Sequence, residues 1–306
     1  MPPLDAQIKS NQRRSRWLFL LFFIVYAFLG LAVSLRFGSG ALVGFGVAAV
    51  VIVVFTLTMG DDMAVAMAHA KKIESRDQNP RVWDAVEVMA IAAGQPMPRV
   101  YVSPDPAPNA FAAGKDPEQA IVCVNQGLLD LLDKAELEGV VAHEMAHVKN
   151  YDVKLMTYAA VLAGGIALLA EWLSYTLFWG GGRDRDSQTA AIGAIVTLLA
   201  VILAPLAALL IQMSISRRRE FLADASAAEL TKYPQGLASA LRKLGASEIP
   251  AETGSSATAH LCIVAPLGAR GKASSLFSTH PPVEDRIARL DELAAGQMHN
   301  SSPAVA

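Results

Sequence analysis

The sequence predicts a mainly α-helical integral membrane protein, with four transmembrane helices in two hairpins and a cytoplasmic α+β domain that contains a small β-sheet. Four apolar stretches are each long enough to cross a bilayer, because about 20 apolar residues span its hydrocarbon core as a helix. The remaining segments carry charges at the frequency of an ordinary globular domain and include short strand-like runs. The four stretches, which contain the single charged residue Glu171, are 17–35, 38–60, 155–182 and 187–216.

Composition argues against a general nucleic-acid-binding protein and against a disulfide-based fold or a thiolate metal cluster. The 306 residues include 26 Lys and Arg and 28 Asp and Glu, so the net charge is −2. A general nucleic-acid-binding protein usually has a basic stripe and a high pI, and this chain is near neutral. Cys123 and Cys262 are the two cysteines. Two cysteines so far apart form neither a disulfide framework nor a thiolate metal cluster, and they fit a reducing compartment.

The distribution of Lys and Arg predicts the orientation in the membrane. Basic residues flank the apolar stretches on the side of both termini, and cytoplasmic loops carry such an excess. We therefore expect both termini and the segments 61–154 and 217–306 to be cytoplasmic. The chain then divides into a first part at 1–60 with the first hairpin, two catalytic-domain parts at 61–154 and 217–306, and a second hairpin at 155–216. The flanking basic residues are Lys9, Arg13, Arg14, Arg16, Lys71, Lys72, Arg76, Lys149, Lys154, Arg217, Arg218 and Arg219.

The soluble segments contain recognisable helix and strand signals. Asp133 and Glu136 have the spacing of a capping box, which predicts a helix running to about Asn150. The runs Arg99–Ser103 and Ala120–Asn125 read as short strands that could form a small sheet. Further helices are predicted over 61–79, ended by Pro80, and over 81–93, 217–230, 234–245 and 282–293.

The central motif is His143-Glu144-Met145-Ala146-His147, an H-E-x-x-H sequence on the capped helix. Positions i and i+4 of a helix lie on one face about one turn apart. Two imidazoles at that spacing can bind one zinc ion, and the intervening glutamate can reach the water beside it. The motif therefore predicts a zinc hydrolase with Glu144 as general base.

Zinc hydrolases usually have three protein ligands and one open position, so a third ligand is needed. The metzincin extension would place glycine at 150 and histidine at 153, where this chain has Asn150 and Val153. Our candidate is Glu220, on the helix predicted after the fourth apolar stretch. His280 and His260 are the alternatives.

Asp224 follows Glu220 by one helical turn. A carboxylate at this position can accept the outer ring N–H of a zinc-bound histidine and so fix its tautomer. The E-x-x-x-D pattern alone is a weak signal, because a solvated helix face carries the same residues.

At these residues the sequence resembles the HtpX-type membrane zinc metalloproteases, which belong to the larger group that includes the zinc-dependent CAAX prenyl proteases. The resemblance covers almost the whole chain. Its motifs are H-E-M-A-H at 143–147, R-R-R-E-F-L-A-D at 217–224, N-A-F-A-A-G at 109–114 and S-T-H-P-P at 278–282. It implies a zincin-like catalytic domain in which His143, His147 and Glu220 bind one Zn²⁺ per chain, with Glu144 catalytic and Asp224 behind the ligands.

The resemblance also implies roles on the substrate side of the site. Asn109 and Phe111 are expected to border the cleft and hold an extended polypeptide substrate, although a turn residue and a core aromatic would look the same in sequence. His280 is expected near the zinc, where it would stabilise the oxyanion. A structural turn before two prolines is the alternative for His280.

The predicted function is a membrane-anchored zinc endopeptidase. The resemblance implies the bacterial inner membrane as its location and misfolded or damaged membrane proteins as its substrates. A CAAX-type peptide-processing protease is the rival enzyme, but the extra spans of a large chamber are missing from the sequence. A non-cleaving membrane chaperone or adaptor is the rival of another class, and the complete H-E-x-x-H motif argues against it. A transporter is disfavoured because the apolar stretches contain only one ionisable residue.

Overall fold

The structure is a computed structural model, and it describes residues 16–27, 39–159, 161–162, 217–250 and 281–301 together with the single residues 13, 31, 34 and 263. Its helices are α1 (Arg16–Ala27), α2 (Ser39–Met67), α3 (Pro80–Ala93), α4 (Gln126–Leu131), α5 (Lys134–Lys149), α6 (152–159), α7 (Arg217–Thr231), α8 (Pro234–Ala246) and α9 (Val283–Ser301). Its strands are β1 (Lys71–Ile73), β2 (Arg99–Ser103), β3 (Ala110–Ala113) and β4 (Ile121–Asn125). The fold is thus mostly helical with a small mixed sheet.

Helix α2 is the one helix within the described residues that is long and apolar enough to cross a membrane. Its candidate span is Leu42–Met67, which has 26 residues. The first predicted span is helical over the shorter apolar segment Arg16–Ala27. The third and fourth predicted spans lie outside the described residues, except for 155–159, 161 and 162. The prediction of four transmembrane helices therefore stays a prediction.

The helix predicted over 61–79 is wrong in its second half. Helix α2 ends at Met67, and the chain turns at His69, whose φ of 49° lies in the left-handed region. Strand β1 follows, and it pairs antiparallel with β2. Pro80 begins α3 rather than ending a helix, because proline suits the first turn and the side chain of Asn79 caps the helix before it.

The sheet has the strand order β1-β2-β4-β3. The two strands expected from the sequence are present as β2 and β4, and they pair in parallel. The segment between them contributes β3, which pairs antiparallel with β4 and forms one edge of the sheet. β1 was not predicted from the sequence because it has only three residues, two of them lysines, and because its pairing with β2 is not local.

Helix α5 lies at the centre of the described helices and packs on β3, α3, α7 and α8. Its capping box is present, because Asp133 accepts from the Glu136 amide at 2.9 Å and the Glu136 carboxylate accepts from the Asp133 amide at 2.8 Å. The same buried carboxylate accepts hydrogen bonds from Ser239 and Lys243 of α8, each at 2.6 Å. The N-terminus of α5 is therefore fixed to α8 as well as capped.

Glycines allow α5 and α8 to cross at close range. A Cβ added at Gly139 would lie 2.7 Å from the backbone nitrogen of Leu237, and one added at Gly236 would lie 2.7 Å from the carbonyl oxygen of Ala135. Only glycine permits such a backbone approach. This crossing sets the position of the H-E-x-x-H turn, which follows Gly139 by one turn.

The end of α2 is joined to the sheet by polar contacts. Arg99 of β2 forms ion pairs with Asp61 at 2.7 Å and Asp62 at 3.2 Å, and Lys115 donates to the carbonyl of Thr58 at 2.9 Å. The last turns of the apolar helix therefore lie against the sheet and the residues that follow β3.

Candidate metal centre

The C-terminal half of α5 presents His143, Glu144 and His147 to one buried site. Each of these side chains is at most 3% exposed. Since α5 is buried on every side from Gly139 to Val148, its polar residues here are enclosed by the neighbouring elements rather than by solvent. The two imidazole rings stand nearly perpendicular, with Nε2 atoms 3.2 Å apart.

Glu220 of α7 completes a group of three metal-ligand side chains. Its Oε1 lies 3.5 Å from Nε2 of His147, and its Oε2 lies 3.8 Å from Nε2 of His143. The ligand atoms of the three residues all lie within 4.8 Å of one another, and all three residues are buried. The alternative ligands His280 and His260 lie outside the described residues.

The three donors fit a zinc ion in chemistry and in spacing. Two imidazole nitrogens and a carboxylate oxygen form a common ligand set of catalytic zinc. Ligand atoms 2.0–2.1 Å from a tetrahedral centre are about 3.3 Å apart, close to the observed separations. The residues present could therefore hold one such ion.

Asp224 lies behind His143, one turn beyond Glu220 on α7. Its Oδ1 is 3.0 Å from Nδ1 of His143. Arg286 of α9 donates to both oxygens of Asp224, from Nη2 at 2.7 Å and from Nε at 2.9 Å. With the proton on Nδ1, the His143 lone pair at Nε2 faces His147 and Glu220. Sequence reasoning missed Arg286, which is 1% exposed and lies within 3.4 Å of the His143 ring.

Asp152 lies behind His147 in the same way. Its Oδ2 is 3.3 Å from Nδ1 of His147, and its Oδ1 accepts from Nη1 of Arg219 at 3.1 Å. Tyr151 makes this contact possible, because its φ of 57° breaks the helix between α5 and α6. Such a conformation costs a residue with a side chain about 1–2 kcal/mol. Sequence reasoning also missed Asp152 and Arg219.

The two histidines have opposite pKa shifts. Burial and the guanidinium of Arg286 lower the pKa of His143 to about 4. Burial also disfavours the charged form of His147, but the hydrogen bond that its ring donates to Asp152 and the charge of Glu220 outweigh it and raise the pKa to about 9. The difference follows from which charge lies behind each ring.

The carboxyl groups also diverge. Burial, and then the charge of Glu220, raise the pKa of Glu144 to about 8. Burial acts in the same direction on Asp224, but Arg286 and His143 outweigh it and lower that pKa to about 2. Two buried carboxyl groups with such different pKa values are suited to different tasks, one to proton transfer and one to a fixed charge.

Strand β3 runs beside the site. The backbone of Ala112 forms a hydrogen bond with the carboxyl group of Glu144. The Phe111 side chain lies in an apolar cluster with Val65 and Cys123, and the Asn109 side chain accepts from the Ala110 amide at 3.0 Å. The expected role of Asn109 and Phe111 in holding substrate stays a prediction. In this strand it is the backbone at Ala112, rather than either of these side chains, that contacts Glu144.

Arg286→Met should destabilise the metal-free protein by about 3–5 kcal/mol, because it leaves the buried carboxylate of Asp224 without its cation. The matched control is Arg242→Met, which breaks an ion pair with Asp291 whose side chains are about half exposed. That loss should be below about 1 kcal/mol. Urea unfolding of both variants in detergent measures the difference. Equal losses would show that the buried pair contributes no more than the surface pair.

Residues 76–294 match the family model described as peptidase family M48. The chain is 43% identical over 300 residues to a protease HtpX homolog of Levilactobacillus brevis, which covers 95% of this chain and all of the relative. It is 42% identical over 303 residues to a protease HtpX homolog of Listeria monocytogenes, with the same coverage. The crystal structure of S. mikatae Ste24p is similar with a TM-score of 0.48 and 18% identity, covering 94% of this chain and 67% of that one.

Proposed function

This chain belongs to peptidase family M48 and is a metalloprotease of the membrane, and from that premise we propose that it is a zinc endopeptidase with its active site on the cytoplasmic face. One observation carries the proposal: the donor atoms of His143, His147 and Glu220 lie together within 4.8 Å. The buried carboxyl group of Glu144 is on the same turn of α5. This is the arrangement that metal-assisted hydrolysis of an amide requires.

Each residue has a distinct part in the proposed reaction. The two histidines and Glu220 would hold the zinc ion, which when bound supplies an activated water molecule and polarises the scissile carbonyl. Glu144 accepts the proton of the attacking water and delivers it to the leaving amine. Burial of Glu144 supports this role, because it raises the pKa of the carboxyl group, so that a proton taken from water is held until the leaving amine accepts it.

Substrate is held beside β3 in this proposal. An extended polypeptide can pair with the edge of a sheet, which gives binding that tolerates many sequences. Asn109 and Phe111 fix the start of that edge, and the adjoining Ala112 backbone reaches Glu144. His280 keeps its implied role, in which its ring stabilises the oxyanion that forms on the scissile carbonyl.

The proposed membrane segments would bring the site close to the bilayer. Helix α2 runs without a break from its apolar part to Asp61 and Asp62, whose carboxylates bind the sheet through Arg99. The Gly114 amide, directly after β3, donates to Thr157 on α6 at 3.2 Å. We propose that 61–154 and 217–306 form one cytoplasmic catalytic domain, with 1–60 and 155–216 as its membrane hairpins and both termini cytoplasmic.

This placement favours polypeptides that emerge from the membrane as substrates. We propose misfolded or damaged membrane proteins, in the bacterial inner membrane, as the physiological class. An unfolded segment can adopt the extended conformation that pairing with β3 needs, whereas a folded membrane protein keeps its backbone groups paired internally.

The test is proteolysis by the full chain purified in detergent. A destabilised membrane protein and its native parent serve as substrates in the same micelles, and casein serves as an unfolded soluble substrate. The enzyme is used as purified, after chelation, and after addition of zinc or, as control, magnesium. We expect cleavage to disappear on chelation and to return with one zinc per chain, with the destabilised substrate cut faster than its parent.

Two results would contradict the proposal. Cleavage that survives chelation would mean that another protease is responsible. Stoichiometric zinc binding without cleavage of any of the three substrates would favour the client-binding interpretation instead.

A further inference from the structure

We propose that Asp152 and Arg219 act as a clamp that positions the zinc-binding ring of His147 and thereby connects the metal site to both ends of the second membrane hairpin. This inference rests on the proposed function, because it assigns positioning residues to the same metal site.

The clamp is a chain of two contacts behind the His147 ring. Nδ1 of His147 lies 3.3 Å from Oδ2 of Asp152, and Nη1 of Arg219 donates to Oδ1 of Asp152 at 3.1 Å. The side chains of Asp152 and Arg219 are 2% and 13% exposed. A buried carboxylate that accepts a hydrogen bond from Nδ1–H leaves the lone pair at Nε2 for the metal and fixes the direction of the ring.

Arg219 is needed because other carboxyl groups lie close to Asp152. The carboxyl groups of Glu144 and Glu220 face the same His147 ring. A further carboxylate in this buried space is unfavourable unless a cation compensates it. Arg219 supplies that charge, and its hydrogen bond holds Asp152 with one oxygen facing the imidazole.

The clamp differs from the corresponding contact at His143. There the carboxylate of Asp224 and the guanidinium of Arg286 both belong to helices that follow the second hairpin. Asp152 instead lies three residues before the segment 155–216, and Arg219 lies three residues after it. The clamp therefore joins the chain where it enters and leaves this segment, and it transmits the relative position of these two ends to a zinc ligand.

The test compares Asp152→Asn, Arg219→Gln, Arg219→Lys and the Asp152→Asn/Arg219→Gln double variant in the full chain in detergent. Arg217→Gln is the matched control, because Arg217 lies on the same helix two residues earlier and is exposed. Zinc affinity is measured by competition with a chromophoric chelator, and the visible spectrum is recorded with cobalt in place of zinc. The melting temperature of each metal-free variant reports on folding.

We expect Asp152→Asn and Arg219→Gln each to weaken zinc binding about 10- to 100-fold and to shift the cobalt spectrum. Arg219→Lys should restore part of the affinity, and Arg217→Gln should behave as wild type. The double variant should lose little more than the weaker-binding single variant, because both changes break one connected contact.

Three results would overturn the clamp. The first is a zinc affinity of the single variants within twofold of wild type. The second is a loss of affinity in the double variant equal to the product of the two single losses. The third is a loss of affinity that is fully accounted for by a lower melting temperature of the metal-free protein. If Asp152→Asn does not fold, the two Arg219 variants decide, since that side chain lies nearer the surface. If the wild type binds zinc and cleaves while the variants match it, only the clamp fails. If the wild type binds no zinc, the proposed function fails together with it.

Discussion

Glu144→Gln should lower the rate of peptide hydrolysis by about 10²- to 10⁴-fold, while leaving one zinc bound per chain. The amide has nearly the shape of the carboxyl group but cannot accept a proton from water or pass one to the leaving amine. The variant should fold normally, because burial already favours an uncharged group at this position. Cleavage of the destabilised membrane protein and zinc content, measured on one preparation, give both quantities.

The matched control for this variant is Glu138→Gln. Glu138 lies on the same helix and its side chain is 23% exposed, where it pairs with Lys134. Its replacement should leave both cleavage and zinc content unchanged. Equal cleavage by Glu144→Gln and wild type would identify a contaminating protease and remove Glu144 from the mechanism. Loss of zinc in Glu144→Gln would assign the residue a ligand role instead.

Glu220→Gln should weaken zinc binding by more than about 100-fold and eliminate cleavage, because it removes the charged member of the donor set. The loss should exceed that of a clamp variant, since a ligand itself is changed rather than a group that orients it. His280→Ala and His260→Ala should retain one zinc per chain, and His280→Ala should cleave more slowly. Chelator competition and metal analysis measure these properties.

Glu229→Gln is the control on the same helix, because Glu229 of α7 is exposed. It should leave zinc affinity unchanged. If Glu220→Gln kept its zinc and His280→Ala or His260→Ala lost it, that histidine would be the third ligand. Such an outcome would leave the two-histidine turn of α5 intact but would remove Glu220 from the metal centre.

Features governed by local geometry were accessible from the sequence. The spacing of His143 and His147 places both rings on one helical face whatever surrounds the helix. The capping box of Asp133 and Glu136 likewise depends on four consecutive residues, and the structure contains it. The spacing of Glu220 and Asp224 is local too, but it is a weak signal by itself, and the resemblance to the HtpX-type metalloproteases was needed to assign the roles of this pair.

Residues that reach the site across the fold were not accessible. Asp152 follows His147 by five residues, which in a continuous helix would place it about 140° around the axis from the ring. Only the left-handed turn at Tyr151 returns it to Nδ1. Arg286 and Arg219 carry no local signal either, because an arginine on a helix usually faces solvent. Strand β1 was missed because its pairing partner is more than two dozen residues away.

The sequence by itself determined the protease motif, the helix that carries it and the apolar stretches that predict membrane spans, because each of these depends on the order of neighbouring residues. Only the tertiary structure decided how the site is charged and held. A buried imidazole takes its tautomer and its pKa from the groups behind it, and those groups come from α6, α7 and α9. Their arrangement follows from packing between elements far apart in the chain, which no local pattern records.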